Sequence, residues 1–462
     1  MGYHPFLFFL FALSSQIRTP LILFFLYLSH YHQTNMVDLI NSLDELEITG
    51  EHQLFFLFSY QNIILVHLNL KYRSVMQVIQ VTDKQTVNEF HKLPEKIYKN
   101  DPNYIPYLRM MVEATFNPEK NARFKHGDAR RWILKKDGDF IGRIAAFYDE
   151  SYAKGYNQLT GGCGFFECIN NKEAAFKLFD TAKNWLAQNG MEAMDGPINF
   201  DENFFFWGLL TKGHQAQTFG MQYHPEYYKS LFEEYGFKTF YEQYSYSLDI
   251  TNPDLPGRFW KIAEWVAQKP GYSFETFSYK NQDKYIRDFI EIHRKAWGGH
   301  GNYKPIEFQL LKNLIKNAKI ILDEEFIWYV YHKGKPIAFF MQILDLNQII
   351  QKLKTGKFNI WTVLKLLYYK QKKTITRCRV IVLGVIPGYQ GKGIESGIFH
   401  HLKKVMLRKS WYNDMEMSWV GDFNPKMNAL FKSFGATKKL THLTMRYLFD
   451  RKKEFQKAPI ID

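Results

Sequence analysis

Several things are scarce in this chain, and each scarcity removes a class of function. Cysteine occurs only as Cys163, Cys168 and Cys378, an odd count without a Cys-x-x-Cys pair. That argues against a disulfide framework and against thiolate zinc sites, and it suits a reducing compartment. No His/Asp signature accompanies Cys378, so a nucleophilic thiol is not expected there. No stretch is rich in Pro, Gly and Ser, while hydrophobic residues make up 46% and aromatics 17%, so a disordered or fibrous chain is excluded. Neither Gly-x-Gly-x-x-Gly nor Gly-x-x-x-x-Gly-Lys-[Ser/Thr] occurs, no metal-ligand spacing is present, and no basic-aromatic nucleic-acid module is found. Acidic residues fall short of basic ones, 46 against 60, for a net charge of +14. This balance suits an anionic partner, and the missing motifs leave a phosphorylated cofactor or an acidic membrane surface ahead of nucleic acid.

What is present begins at Met76. A chain of 462 residues is expected to hold two domains. Residues 1–75 differ from the rest. Their apolar runs, Phe6 to Leu13 and Pro20 to Leu28, are too short to span a bilayer, and "MGYHP" carries no Lys or Arg for a signal peptide. This extension reads as spurious translation upstream of an initiator at Met76, with a membrane-anchoring or targeting segment as the alternative. Beyond it, "YKSLFEEYGF" (228–237) overlays "MNALFKSFGA" (427–436) at a constant offset: Leu231 on Leu430, Phe232 on Phe431, Tyr235 on Phe434, Gly236 on Gly435. Each copy reads as a short helix, a glycine where a left-handed residue costs least, and a following strand. Upstream of each copy lies the same order of hairpin, strand and amphipathic helix, with a DG turn in the first and a KG turn in the second. The expected organisation is therefore α/β, with two repeated domains at 76–250 and 251–450, a linker near "DITNPDLPGRFW" (249–260) and a tail at 451–462.

The second copy carries "GVIPGYQGKGI" between an apolar strand and a helix. A helix N-terminus has unsatisfied N–H groups and a partial positive charge, so a glycine-rich approach to it can cradle phosphate oxygens. The alternative is a tight strand-to-helix turn. With the strand "MEMSWVGD", Asn424 and the "ALFKSFGA" helix that follow, this segment resembles the GNAT superfamily of acyl-CoA-dependent N-acyltransferases. The resemblance implies mixed central sheets flanked by helices, acetyl-CoA or acyl-CoA as co-substrate, no metal, and an amine acceptor. It also assigns residues. Backbone around Gly384, Val385 and Ile386 would pair with the pantetheine arm, Gln390, Gly391, Lys392, Gly393 and Ile394 would hold the diphosphate, and Asn424 would lie beside the arm. Gln390 and Gly393 match the family's pyrophosphate motif, while Glu395 departs from it. From Met76 onward the chain is also similar to uncharacterised bacterial tandem-GNAT proteins, through "DPNYIPYLR", "GPINFDENFFFWGLL" and "AWGGHGNYKPIEF". The first copy lacks the glycine loop and reads as structural or as a wall of the cleft.

An amine must lose a proton to attack a thioester, and the thiolate must gain one. The tyrosine acid that the resemblance implies falls on Phe431, so Tyr447 or Tyr412 is the substitute, or water. For the base the candidates are Glu416, then Asp345, His300 in a glycine-rich loop, and Glu307. The resemblance extends to proteins that acylate long-chain amines such as sphingoid bases. Its rivals are a non-catalytic CoA-binding protein and an aminoacyl-tRNA-dependent transferase. One insertion stands out. Some thirty residues replace a short hairpin loop, including "KTGKFNIWTVLKLLYYKQKK", in which Trp361, Leu364, Leu367 and Tyr368 share a helical face framed by lysines. The helix is expected to be a lid, a contact with an anionic membrane that supplies a lipid amine, or a brace on the other domain. The expected location is cytoplasmic, with or without membrane association.

Overall fold

A computed structural model describes residues 76–200, 203–298 and 305–461. The extension 1–75, with the question of a start at Met76, therefore lies outside the described residues, as does His300. Residues from Met76 onward form one compact unit.

The first half runs β1 (Gln77–Gln80), α1 (Lys84–Ile97), α2 (Arg109–Thr115), β2 (Gly127–Lys136), β3 (Asp139–Asp149), α3 (Glu150–Ala153), β4 (Thr160–Cys168), α4 (Lys172–Gln188), β5 (Ala193–Gly196), β6 (Leu209–Lys212), α5 (Tyr228–Tyr235) and β7 (Lys238–Leu248). The second runs α6 (Gly257–Ala267), β8 (Tyr272–Thr276), α7 (Gln282–Trp297), α8 (Phe308–Asn317), β9 (Ile327–His332), β10 (Lys335–Leu344), α9 (Asn347–Leu353), α10 (Ile360–Gln371), β11 (Arg377–Val385), α11 (Ile394–Arg408), β12 (Asp414–Gly421), α12 (Pro425–Ser433) and β13 (Thr437–Leu448). The repeated order read from the sequence, from hairpin to final strand, is present in both halves. Both hairpins turn through two residues of positive φ, Asp137 and Gly138 in β2–β3 and Lys333 and Gly334 in β9–β10, the geometry that matches strand twist. Gly236 and Gly435, aligned in the repeat, both sit beyond a helix at positive φ.

The described strands form one mixed sheet in the order β1-β2-β3-β4-β5-β13-β7-β12-β11-β10-β9-β8, with β6 also on β13. The halves exchange their last strands. β13 pairs with β5 of the first half, and β7 pairs with β12 of the second. Two pairs run parallel, β4–β5 and β11–β12, and they occupy equivalent places in the two halves. The exchange is held by a buried ion pair. Arg446 on β13 reaches both oxygens of Asp195 on β5 at 2.7 and 2.8 Å, with its guanidinium over the rings of Phe240 and Tyr156. Among the described residues no helix is long and apolar enough to cross a membrane.

Two outcomes follow from the exchange. Segments 76–250 and 251–462 produced apart should each fail to fold as monomers and should recover a folded complex when mixed, as gel filtration and circular dichroism would report. Arg446→Ala, which leaves Asp195 buried without its partner, should cost about 3–5 kcal/mol in urea unfolding.

Candidate active site

Strand β11 leads into the glycine loop. Gly388, Gly391 and Gly393 all take positive φ, 85°, 71° and 76°, and Gly393 is the residue from which α11 starts. No N-cap side chain bonds the start of α11, where Gly393 stands, although the Glu395 carboxyl in the first turn lies against its own backbone N–H. A Cβ at Gly391 would meet open space, so the loop is accessible. Lys392 is exposed beside the Tyr389 ring and forms no ion pair among the described residues. The exposed Gln390 folds its side-chain amide back to donate to the Val385 carbonyl at 3.0 Å, which braces the turn. Burial raises the pKa of the Glu395 carboxyl, against the pull of its own backbone N–H.

The two parallel seams differ. In the second half, β11 and β12 pair only from Arg377–Asp414 to Val380–Met417. On its other side β11 carries one extra residue: Val380 pairs with Gln342 and Val382 with Met341, which leaves Ile381 as a bulge. A bulge bends and twists a strand, and here it comes one residue beyond the last β11–β12 pair. Past it, Ile381, Val382 and Leu383 are only half-buried, although they lie in mid-sheet. In the first half the equivalent seam is shut. The Ile198 amide donates to the Cys163 carbonyl at 2.9 Å, and Ile198 sits so close to Gly164 that a Cβ there would strike its carbonyl. Asn171 caps α4 where the second half has its glycine loop.

Polar groups gather on one face of the sheet at the start of the open seam. Arg379 and Glu416 are directly opposed across β11–β12, and both are buried. A loop of the first half covers them. Thr218 donates to Glu416 at 2.5 Å, and Arg379 donates to the carbonyls of Phe219 and Phe204 at 2.7 and 2.6 Å and to Ser418 at 2.7 Å. Asp345, at the end of β10, accepts from the Phe219 amide at 2.8 Å and pairs with Arg377 at 2.7 Å. Burial raises the Glu416 and Asp345 carboxyls against the pull of these cations, and it brings Arg379 down to about 10.

The opposite face carries a different group. Gln342, Val380, Met417 and Tyr246 form one row across β10, β11, β12 and β7, the row at which the seam opens. Gln342 is fully buried and neither atom of its amide has a hydrogen-bond partner, an unfavourable arrangement without a ligand. Tyr246 packs edge-on against Phe431, ring centroids 5.5 Å apart, and donates to Asn428 Oδ1 at 2.9 Å. Asn428 uses its amide nitrogen on the carbonyls of Gly421 and Asn424, so its oxygen is fixed toward the phenol.

No family model matches the chain. It is 25% identical over 370 residues to "Bacterial ceramide synthase" of Caulobacter vibrioides, a match that covers 78% of this chain and 94% of that one. Protein YghO of Escherichia coli is 24% identical over 389 residues, 82% of this chain and 94% of its own. Among solved structures, a tandem GNAT protein from the clavulanic acid biosynthesis pathway superposes with a TM-score of 0.50 at 9% identity, over 82% of this chain and 100% of that chain. A GCN5-related glucosamine N-acetyltransferase region of a fungal multi-domain β-N-acetylglucosaminidase gives 0.50 at 10% identity, over 81% of this chain and 38% of the larger one. The fold is the tandem GNAT fold.

Within that fold, the structure gathers some expected residues and disperses others. Gly384 and Val385 close β11 with Ile386 just beyond it, and Gln390 to Gly393 form the loop into α11, which Ile394 begins. Gly384 is needed for packing, because a Cβ there would run into the Trp297 indole. Asn424 is the cap of α12, its side chain accepting from the Met427 amide at 3.0 Å. Glu416 and Asp345 lie together in the polar cluster. Tyr447 does not join them: it stands on the exchanged strand β13, paired with Met194 and packed on Tyr235 and Phe237 in the first half's core. Tyr412 is buried against Phe326 and Trp411, and Glu307 is exposed at the start of α8. All three cysteines are buried, and burial pushes the Cys378 thiol well up, which suits an inert residue. Sequence reasoning missed Tyr246, Arg379, Thr218 and Gln342. The alternation of "YEQYSYSLDI" marks a strand without naming the half it joins.

The loop can be tested directly. Gly391→Asp brings a negative charge into open space at the start of α11 and should weaken CoA binding at least tenfold, about 1.5–3 kcal/mol for a lost charge-assisted contact. Gly388→Asp has similar backbone strain three residues earlier and serves as the control. Equal calorimetric affinities for both variants and the wild type would make the loop a simple turn.

Proposed function

We propose that this protein is an acyl-CoA-dependent N-acyltransferase whose acceptor is a long-chain lipid amine. The observation that carries the reading is the second parallel seam, opened by the Ile381 bulge and leading to an uncapped helix N-terminus through a loop with three glycines at positive φ. Its equivalent in the first half is closed by Ile198. Beyond the bulge β11 has an edge that pairs with no described strand, which suits the amides of a pantetheine arm, and the exposed Lys392 and uncapped N–H groups suit a diphosphate. The unpartnered Gln342 amide suits a carbonyl or amide of the thioester substrate entering the seam. The relative described as a ceramide synthase supports a lipid amine as acceptor.

The two faces of the seam divide the chemistry. On one, the Glu416 carboxylate takes a proton from the ammonium, and the freed amine attacks the thioester carbonyl. The C–S bond then breaks, and the thiolate takes a proton from the Tyr246 phenol on the other face. The second proton on the nitrogen restores that phenol through solvent and Glu416 releases its proton to water, leaving amide and CoA thiol. Tyr246 would do what a tyrosine at position 431 cannot, because Phe431 has no hydroxyl and packs against the Tyr246 ring. Arg379, held by Ser418 and the carbonyls of Phe204 and Phe219, keeps positive charge opposite Glu416 and limits how far burial raises that carboxyl.

Three measurements test this. Incubation with long-chain acyl-CoA and a long-chain amino alcohol should release free CoA and give the amide by mass spectrometry. CoA binding without turnover for any amine would favour a non-catalytic binding protein, and activity lost on RNase treatment would favour a tRNA donor. Tyr246→Phe should lower kcat about 100-fold with CoA affinity and fold unchanged, the usual size of a lost general acid. The rate should rise with pH as Glu416 ionises, through a pKa above the ordinary carboxylate range, and Glu416→Gln should abolish that limb of the profile. An unchanged profile would remove Glu416 as the base.

A further inference from the structure

Helix α10 is amphipathic in the wrong sense for a helix that braces the fold. Asn359 and Thr362 form a capping box that starts it, and its inward side is Thr362 and Leu366, both buried. Lys370 also belongs to the inward side. Its ammonium donates to the Ile320 carbonyl at 2.7 Å, and burial lowers its pKa. The insertion is anchored to the first half as well, where the Arg109 amide donates to the Gly356 carbonyl at 3.0 Å. The apolar stripe points the other way. Ile360, Trp361, Leu364, Leu367 and Tyr368 are 66%, 70%, 51%, 50% and 55% exposed, and their i, i+1, i+4, i+7, i+8 spacing puts them on one continuous face. Because every one is at least half exposed, the face protrudes and does not line a groove. Phe358, just before the helix, is exposed too.

Along the chain, the charge flanking this stripe has one sign. From Leu346 to Ile394 there is no Asp or Glu. Lys352, Lys354, Lys357, Lys365, Lys372 and Lys373 are all exposed in that interval. We infer that α10 and its flanks dock on an anionic lipid bilayer, with the apolar stripe in the headgroup boundary and the lysines on the phosphates. A bilayer accepts a protruding face without shape complementarity, and tryptophan and tyrosine with flanking lysines are the residues that favour the interface. An acidic protein would need a matching groove for five large side chains. The insertion leaves the sheet at Asp345 and returns at Arg377, the ion pair one strand from Glu416. If the acyltransferase reading holds, docking there brings the acceptor side of the seam to the membrane from which a lipid amine would come.

Flotation of the full chain with phosphatidylcholine vesicles, with and without phosphatidylglycerol, tests the inference without acyl-CoA or turnover. Binding is expected to the phosphatidylglycerol vesicles, to weaken with salt, and to be far lower on phosphatidylcholine alone. Trp361→Glu with Leu364→Glu should reduce it at least tenfold, and Lys365→Gln with Lys372→Gln and Lys373→Gln should do so by a similar factor. These side chains are exposed, so unchanged thermal unfolding should accompany the loss. No binding by the wild type, or equal binding by the wild type and the Trp361/Leu364 variant, would overturn the inference, as would capture of an acidic protein by this face without vesicle binding. Acylation of a short soluble amine in the absence of vesicles reports separately on the enzyme reading, so one can fail while the other stands.

Discussion

The exchange of β7 and β13 is the constraint on which the rest of this structure depends. Each half builds a parallel pair that must be flanked by one more antiparallel strand, and each takes that strand from the other half. The Arg446–Asp195 pair fixes the first half's side of the exchange in a buried setting, where losing one partner is far more destabilising than the pair itself is stabilising. A consequence reaches the candidate site: Tyr246 belongs to the first half by sequence and to the second half's sheet by pairing.

The halves share a plan and diverge at one seam. Gly164 and Ile198 close the first, while the Ile381 bulge opens the second. The same divergence decides where polar groups are tolerated. Around the open seam, Glu416, Asp345, Arg377 and Arg379 are gathered together, each with a fixed partner, and much of that partnership comes from the first-half loop through Thr218, Phe204 and Phe219. The first half thus acts as the wall that desolvates these charges. Burial then pushes the carboxyls up and the Arg379 guanidinium down, against the mutual attraction of the two charges.

Local chemistry was legible in the sequence. Periodicity, the turn dipeptides and helix-ending glycines gave the repeat and its element order, because those signals act over a few residues. The glycine loop was visible for the same reason, and so was the amphipathic character of α10. Only the tertiary structure decided which strands became neighbours. The runs that form β7 and β13 alternate alike, and nothing within either one encodes its partner, so Tyr447 looked as eligible as any tyrosine and Tyr246 was not singled out. Whether Glu416 was a solvated or a buried carboxylate also depended on a loop some two hundred residues away in sequence. The direction of the α10 stripe was likewise open to sequence reasoning. A 3.6-residue period fixes which side chains share a face, and only the packing of Thr362 and Leu366 against the core determines that this face looks outward.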